Sequence, residues 1–120
     1  MKFNEFWTAI CFLTSGGWTK EGLHVGGFEF QTLAWKRPFT ATCYSGNIIV
    51  EPKGKERRNS DGVPNGDLSG ITRNHFHKIW MMAAKLSKQD AFVPSNYMTH
   101  QASYILCMMK TILGEEEIEE

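Results

Sequence analysis

Residues 28–50 read FEFQTLAWKRPFTATCYSGNIIV, and the reading of this stretch decides the fold. Phe28, Phe30, Thr32 and Ala34 fall on one side of an extended chain, and Glu29, Gln31, Leu33 and Trp35 on the other. That period of two is what a pleated strand imposes. Lys36-Arg37-Pro38 ends the first strand, because proline has no N–H to give to a ladder. Phe39 to Tyr44 is again β-branched and aromatic, and Ser45-Gly46-Asn47 supplies turn residues with a glycine that tolerates positive φ. Ile48-Ile49-Val50 then returns, with Pro52 closing the segment. The stretch predicts a three-stranded antiparallel sheet over about 28–51.

On either side the apolar period changes to that of a helix. Phe3, Phe6, Trp7, Ile10 and Leu13 lie on one helical face, predicting a helix over about 4–14 with Asn4 as its cap and Gly16-Gly17 as its stop. Residues 18–27 hold glycines and no period, and read as a connection. Beyond the sheet, residues 53–70 are nearly free of apolar side chains and read as a long loop. Thr72 then caps a helix over about 73–87 with Phe76, Ile79, Trp80 and Ala83 on one face. Ser87 to Pro94 interrupts the pattern. Ser95 is placed to cap a last helix over about 96–113, in which Met98, Ala102, Ile105, Leu106, Met109, Ile112 and Leu113 form a wide apolar face. The prediction is an α+β fold: a three-stranded antiparallel sheet packed with one N-terminal and two C-terminal helices. At 120 residues with 42% hydrophobic side chains, the chain reads as one domain over residues 1–114. Residues 115–120 follow as an acidic tail, read as solvated.

No apolar stretch reaches the 18 or so residues of a membrane span, and no cleavage signal follows the first apolar segment, so the expected location is cytoplasmic, away from membranes. Cys11, Cys43 and Cys107 are odd in number and far apart, which fits neither a disulfide framework nor a metal-binding pair; they read as free thiols in apolar surroundings. His75 and His77 stand two apart on a helix and point to opposite sides, so they do not share a metal. No nucleophile elbow, P-loop or zinc-protease spacing occurs. No catalytic residue, metal site or cofactor is therefore assigned. Glu29, Glu51 and Glu56, on or beside the strands, are the one carboxylate set that could serve a nuclease, and Glu51-Pro52-Lys53 has the acid-to-lysine spacing of such sites, though its proline speaks against a strand there.

Two surplus properties point to function. The 13 basic and 13 acidic side chains cancel overall, but Glu115, Glu116, Glu117, Glu119 and Glu120 hold five of the acids. The body is thus basic, and most so where Lys53, Lys55, Arg57 and Arg58 precede Arg73 at the start of a helix. That set suits a phosphate backbone, so nucleic-acid binding is one reading. The tail, opposite in sign, could then lie over the basic segment and mask it. The other surplus is apolar: Met81, Met82, Met108 and Met109 come in adjacent pairs, giving the last two helices apolar residues on more than one face. A second copy or another protein could cover that extra face. The leading expectation is accordingly a non-catalytic interaction module, homodimeric or protein-binding through these methionines, with nucleic-acid binding as the alternative.

Ile71-Thr72-Arg73-Asn74-His75-Phe76-His77-Lys78-Ile79-Trp80, with Ala102-Ser103-Tyr104-Ile105-Leu106 a helix later, resembles a pattern I-[ST]-[RK]-x-x-F-x-K-[VI]-W … S-Y-I-[IL] in small proteins of mobile DNA, of the integron gene-cassette kind. The resemblance covers roughly the last 40 residues. It implies an α+β fold and a mobile origin, and it carries no catalytic residue over to this chain. Read physically, the same motif is a cap, a core Phe and a core Trp at helical spacing.

Overall fold

The computed structural model describes residues 1–21, 23–52 and 70–120. Its elements run α1 (Phe3–Leu13), β1 (Gly16–Trp18), β2 (His24–Gly26), β3 (Phe28–Gln31), β4 (Pro38–Tyr44), β5 (Asn47–Pro52), α2 (Arg73–Ala84), two single 3₁₀ turns (Asp90–Phe92 and Pro94–Asn96) and α3 (Ala102–Leu113). The fold is α+β, with the expected three-stranded antiparallel sheet in the order β3-β4-β5. Phe28 pairs with Ala41, Phe30 with Phe39, and Cys43 with Ile48. This register gathers Phe28, Phe30, Phe39, Ala41, Cys43, Ile48 and Val50 on the face turned to the core. Beyond β5, Ile71 extends the pairing by one bridge, exchanging both main-chain bonds with Ile48 at 3.0 and 2.7 Å.

Four local departures from the expected boundaries have physical causes. The first helix starts at Phe3, and Asn4 does not cap it: Glu5 reaches back to accept the Lys2 N–H at 3.1 Å, and the Asn4 carboxamide accepts Arg73 at 2.7 Å instead. The connection over 18–27 contains a hairpin, β1 with β2, registered Gly16 to Gly26 and Trp18 to His24. Its glycines hide the strand period but are what permit the pairing. Gly26 and Gly27 both take φ +79°, and a Cβ on Gly27 would lie 2.7 Å from the Thr42 hydroxyl. The first strand of the sheet stops at Gln31, although alternation continues to Trp35. The Thr32 N–H donates to the Arg37 carbonyl at 3.0 Å, its hydroxyl accepts the Arg37 N–H and its carbonyl accepts the Lys36 N–H, and Lys36 turns the chain at φ 54°. The last helix begins at Ala102 and Ser95 caps nothing, because Tyr97 is extended and buries its ring, its hydroxyl donating to the Ala91 carbonyl at 2.6 Å. Thr72 does cap α2, accepting the His75 N–H at 3.2 Å.

The core is aromatic at the helical end and aliphatic in the middle. Phe6 stacks on Trp80 at 5.1 Å, Phe3 meets the same indole edge-on at 5.9 Å, and Phe76 lies 5.9 Å from Phe6. At the sheet, Phe30 stacks on Phe39, which takes Tyr104 of α3 edge-on at 4.9 Å. Helix α3 is central, in contact with α1, α2 and β3, so Ile105, Leu106, Cys107, Met108 and Met109 are all buried.

Residues 115–120 are docked, where solvation was expected. The Glu119 N–H donates to the Met1 carbonyl at 2.9 Å, and the Met1 ammonium donates to the Glu117 carbonyl at 2.7 Å and pairs with the Glu119 carboxylate at 2.6 Å. The Trp80 indole N–H donates to the Glu119 carbonyl at 2.7 Å, and Ile118 packs on the core. A tail fastened by its main chain is not the free masking strand its charge suggested. Ending the chain after Gly114 leaves that indole N–H without its acceptor and should cost about 1–3 kcal/mol, read as a lower urea midpoint at unchanged slope. An unchanged midpoint would show that the docked tail adds nothing to stability.

Candidate functional site

The residues singled out in the sequence are dispersed. Lys53, Lys55, Arg57, Arg58 and Glu56 lie outside the described residues. Arg73 is engaged within the fold, donating to Asn4 and lying over the Phe3 ring at 5.1 Å, so its charge braces α2 against α1. Of the four methionines, Met108 and Met109 are interior and unavailable to a partner; Met81 is half-buried against the core and Met82 is the most exposed. The apolar surplus of α3 is thus consumed inside the monomer, by the sheet on one side and the helices on the other.

The carboxylates are brought part of the way together. Glu29 and Glu51 both pair across to Thr40, so the three residues form one row over the face of the sheet opposite the core. Glu51 is buried and Glu29 exposed. Two strand spacings separate them, roughly 9–10 Å. Among the described residues no three His, Cys, Asp or Glu side chains converge as metal ligands. His77 packs on Phe3 at 4.7 Å, and His24 shares a hydrogen bond with the Thr42 hydroxyl at 3.0 Å beneath the stacked ring of Trp18.

Among the described residues a groove of about 680 Å³ lies between the β3–β4 loop and the start of α3. Its walls are Trp35, Arg37, Pro38, Pro52, Pro94 and Tyr104. The closed loop from Thr32 to Arg37 builds one rim and leaves the Trp35 ring 80% exposed between Ala34 and Lys36. The three prolines give the floor rigid apolar surface with few competing N–H donors. A second cavity, of about 250 Å³, lies between α2, α3 and the docked tail. Its two lysines are committed: Lys88 donates to the Glu115 carbonyl at 3.2 Å, and Lys110 donates to the Gly114 carbonyl at 3.3 Å while sitting over the Phe92 ring. They cap the end of α3 and leave that cavity a structural role.

Sequence reasoning missed the groove because its residues come from four separate stretches, and read Trp35 as part of a strand. It also missed a pair of thiols. Cys11, in the last turn of α1, and Cys43, near the end of β4, lie close enough to influence each other. Burial, then the hydrogen bond to Cys43 and the charge Cys43 can carry, push the Cys11 thiol up to about 12, against the opposing pull of Arg73. Comparison of the chain with family models, with curated proteins and with solved structures returns no match.

The thiol shift has a consequence for stability. An unfolded cysteine loses its proton near pH 9, whereas Cys11 in the fold keeps it to about 12. In that window the folded state holds more protons than the unfolded one, so stability should be full below pH 9 and fall as pH rises towards 12. Urea midpoints across this range should decline less steeply for Cys11→Ala than for the native chain, and equal slopes would refute the assignment.

Proposed function

We propose that the protein is a non-catalytic interaction module, acting in the cytoplasm and engaging a protein partner, a second copy of itself included, through the groove at Trp35. One observation carries this reading: a tryptophan 80% exposed at the rim of a groove that also offers Arg37 and Tyr104. Trp, Tyr and Arg are the side chains that dominate binding energy at protein interfaces, where a large apolar ring or a forked cation is desolvated in a pocket. The main chain that carries the ring is fixed by the Thr32–Arg37 bonds, so little backbone freedom is lost when it is covered. No catalytic spacing competes with this reading, and Met82 on α2 with Leu86 just after it, both partly exposed, adds a smaller apolar patch. The resemblance to cassette-borne proteins, which carries over no catalytic residue, fits a non-catalytic module.

Nucleic-acid binding is favoured by a different observation. Lys36 and Arg37 flank or follow the exposed indole, and Pro52, in the groove wall, is followed directly by Lys53, Lys55, Arg57 and Arg58 in the sequence. Aromatic platforms beside cations are how single strands are held without sequence preference.

Light scattering over a concentration series, alongside retention of labelled single-stranded DNA and RNA at low and high salt, separates the two. A protein interface predicts self-association that Trp35→Ala weakens by roughly 30-fold or more in Kd, with no salt-dependent oligonucleotide retention. Retention that falls steeply with salt and is lost in Arg57→Ala/Arg58→Ala selects nucleic acid instead. A monomer at all concentrations that retains no oligonucleotide removes support from self-association and from nucleic acid alike.

A further inference from the structure

The contact between α1 and β4 holds chemistry that the groove does not use. The turn after α1 docks on β4 by main chain: the Cys43 N–H donates to the Thr14 carbonyl at 2.8 Å, and Ser15 forms a parallel bridge with Cys43. Ser15 in turn binds back to the Cys11 carbonyl at 2.9 Å, so Cys11 stands one helical turn behind the docking point. Both side chains lie at this junction of α1 with the sheet, each half-buried and packed against the core. The third cysteine is different in kind. Cys107 is 3% exposed and its thiol donates to the Gln31 carbonyl at 2.8 Å.

From this arrangement we infer that Cys11 and Cys43 are a dithiol that forms a reversible disulfide by exchange with a low-molecular-weight disulfide of the glutathione class, locking α1 onto β4. The main-chain bonds between Thr14, Ser15 and Cys43 bring the end of α1 against β4 with both thiols on the same contact, and a disulfide needs the sulfurs to close to roughly 2.05 Å. The docking turn is held in place by main-chain bonds, so the bond adds a covalent tie to a contact that exists without it. Exchange proceeds in two displacements. The Cys43 thiolate attacks one sulfur of oxidised glutathione, breaking its S–S bond and releasing one glutathione thiolate. Cys11 then gives its proton to solvent and displaces the second glutathione from the Cys43 sulfur. The two protein thiols lose two electrons and two protons, and one oxidised glutathione becomes two reduced ones. Cys107, buried and donating to a carbonyl, stays reduced.

The inference is independent of what the groove binds. The full chain is equilibrated in glutathione buffers of graded ratio, quenched with acid and analysed by mass and peptide mapping. Oxidation should remove two hydrogens, link the peptides holding Cys11 and Cys43, leave one titratable thiol, and reverse on reduction. The thermal midpoint of the oxidised form should rise by roughly 10 °C, as expected for closing a loop of this length. Cys11→Ser and Cys43→Ser should each accumulate a stable glutathione adduct in place of the internal bond. If either variant fails to fold, the peptide map of the native chain decides alone. A persistent glutathione adduct on the native chain, a link through Cys107 or between chains, or three thiols still free in the most oxidising buffer would each overturn the inference.

Discussion

Trp80 sets a condition that the helical end of the molecule has to meet. Its ring is fully buried, stacked on Phe6 and edged by Phe3, but an indole carries one N–H that must find an acceptor when water is excluded. The Glu119 carbonyl is that acceptor. To deliver it, the chain after α3 doubles back past Gly114, at φ 56°, and runs beside Met1, where a main-chain bond and an ion pair fasten the two ends. The same indole thus ties together α1 through Phe3 and Phe6, α2 by its own backbone, and the acidic terminus by a single hydrogen bond. The glutamates' sequence reads as solvating charge. Their main chain serves as a strap, with Ile118 as its one apolar foot.

Much of the architecture was legible because it rests on periods. The alternation from Phe28 to Val50 marks the sheet, and the 3.6-residue repeat of Phe3, Phe6 and Ile10, and of Phe76, Ile79, Trp80 and Ala83, marks two helices whose buried faces are those residues. Where the period misleads, tertiary hydrogen bonding is the cause. Thr32 to Trp35 alternates like a strand, yet Thr32 prefers to close a loop on Arg37. Met98 belongs to the helical pattern of the last segment but stands fully exposed in an irregular stretch, because Tyr97 is drawn inwards to Ala91. The β1–β2 hairpin has three-residue strands rich in glycine, too short to show any period.

The site was less legible for a different reason. Adjacent methionines on α3 look like a surplus only if the helix has one neighbour; α3 has partners around most of its circumference, and composition cannot count neighbours. The groove and the dithiol are both products of long-range placement. Trp35 and Tyr104 come to one groove, and Cys11 and Cys43 to one junction, only once the sheet has been laid across the helices. Arg73 shows the converse. Its place at the start of a helix suggested a phosphate contact, but Asn4 and Phe3 claim it first.

The bridge from Ile71 to Ile48 also bears on how the sheet meets other chains. A three-stranded sheet has two borders, and an unguarded border is a template on which a foreign strand can add. Ile71 covers part of the β5 border by satisfying both main-chain groups of Ile48. The β3 border is only four residues long, carries the charge of Glu29, and has its last carbonyl, that of Gln31, occupied by the Cys107 thiol. Short, charged and partly blocked borders discourage runaway strand addition, so this sheet is guarded against extension by a foreign strand.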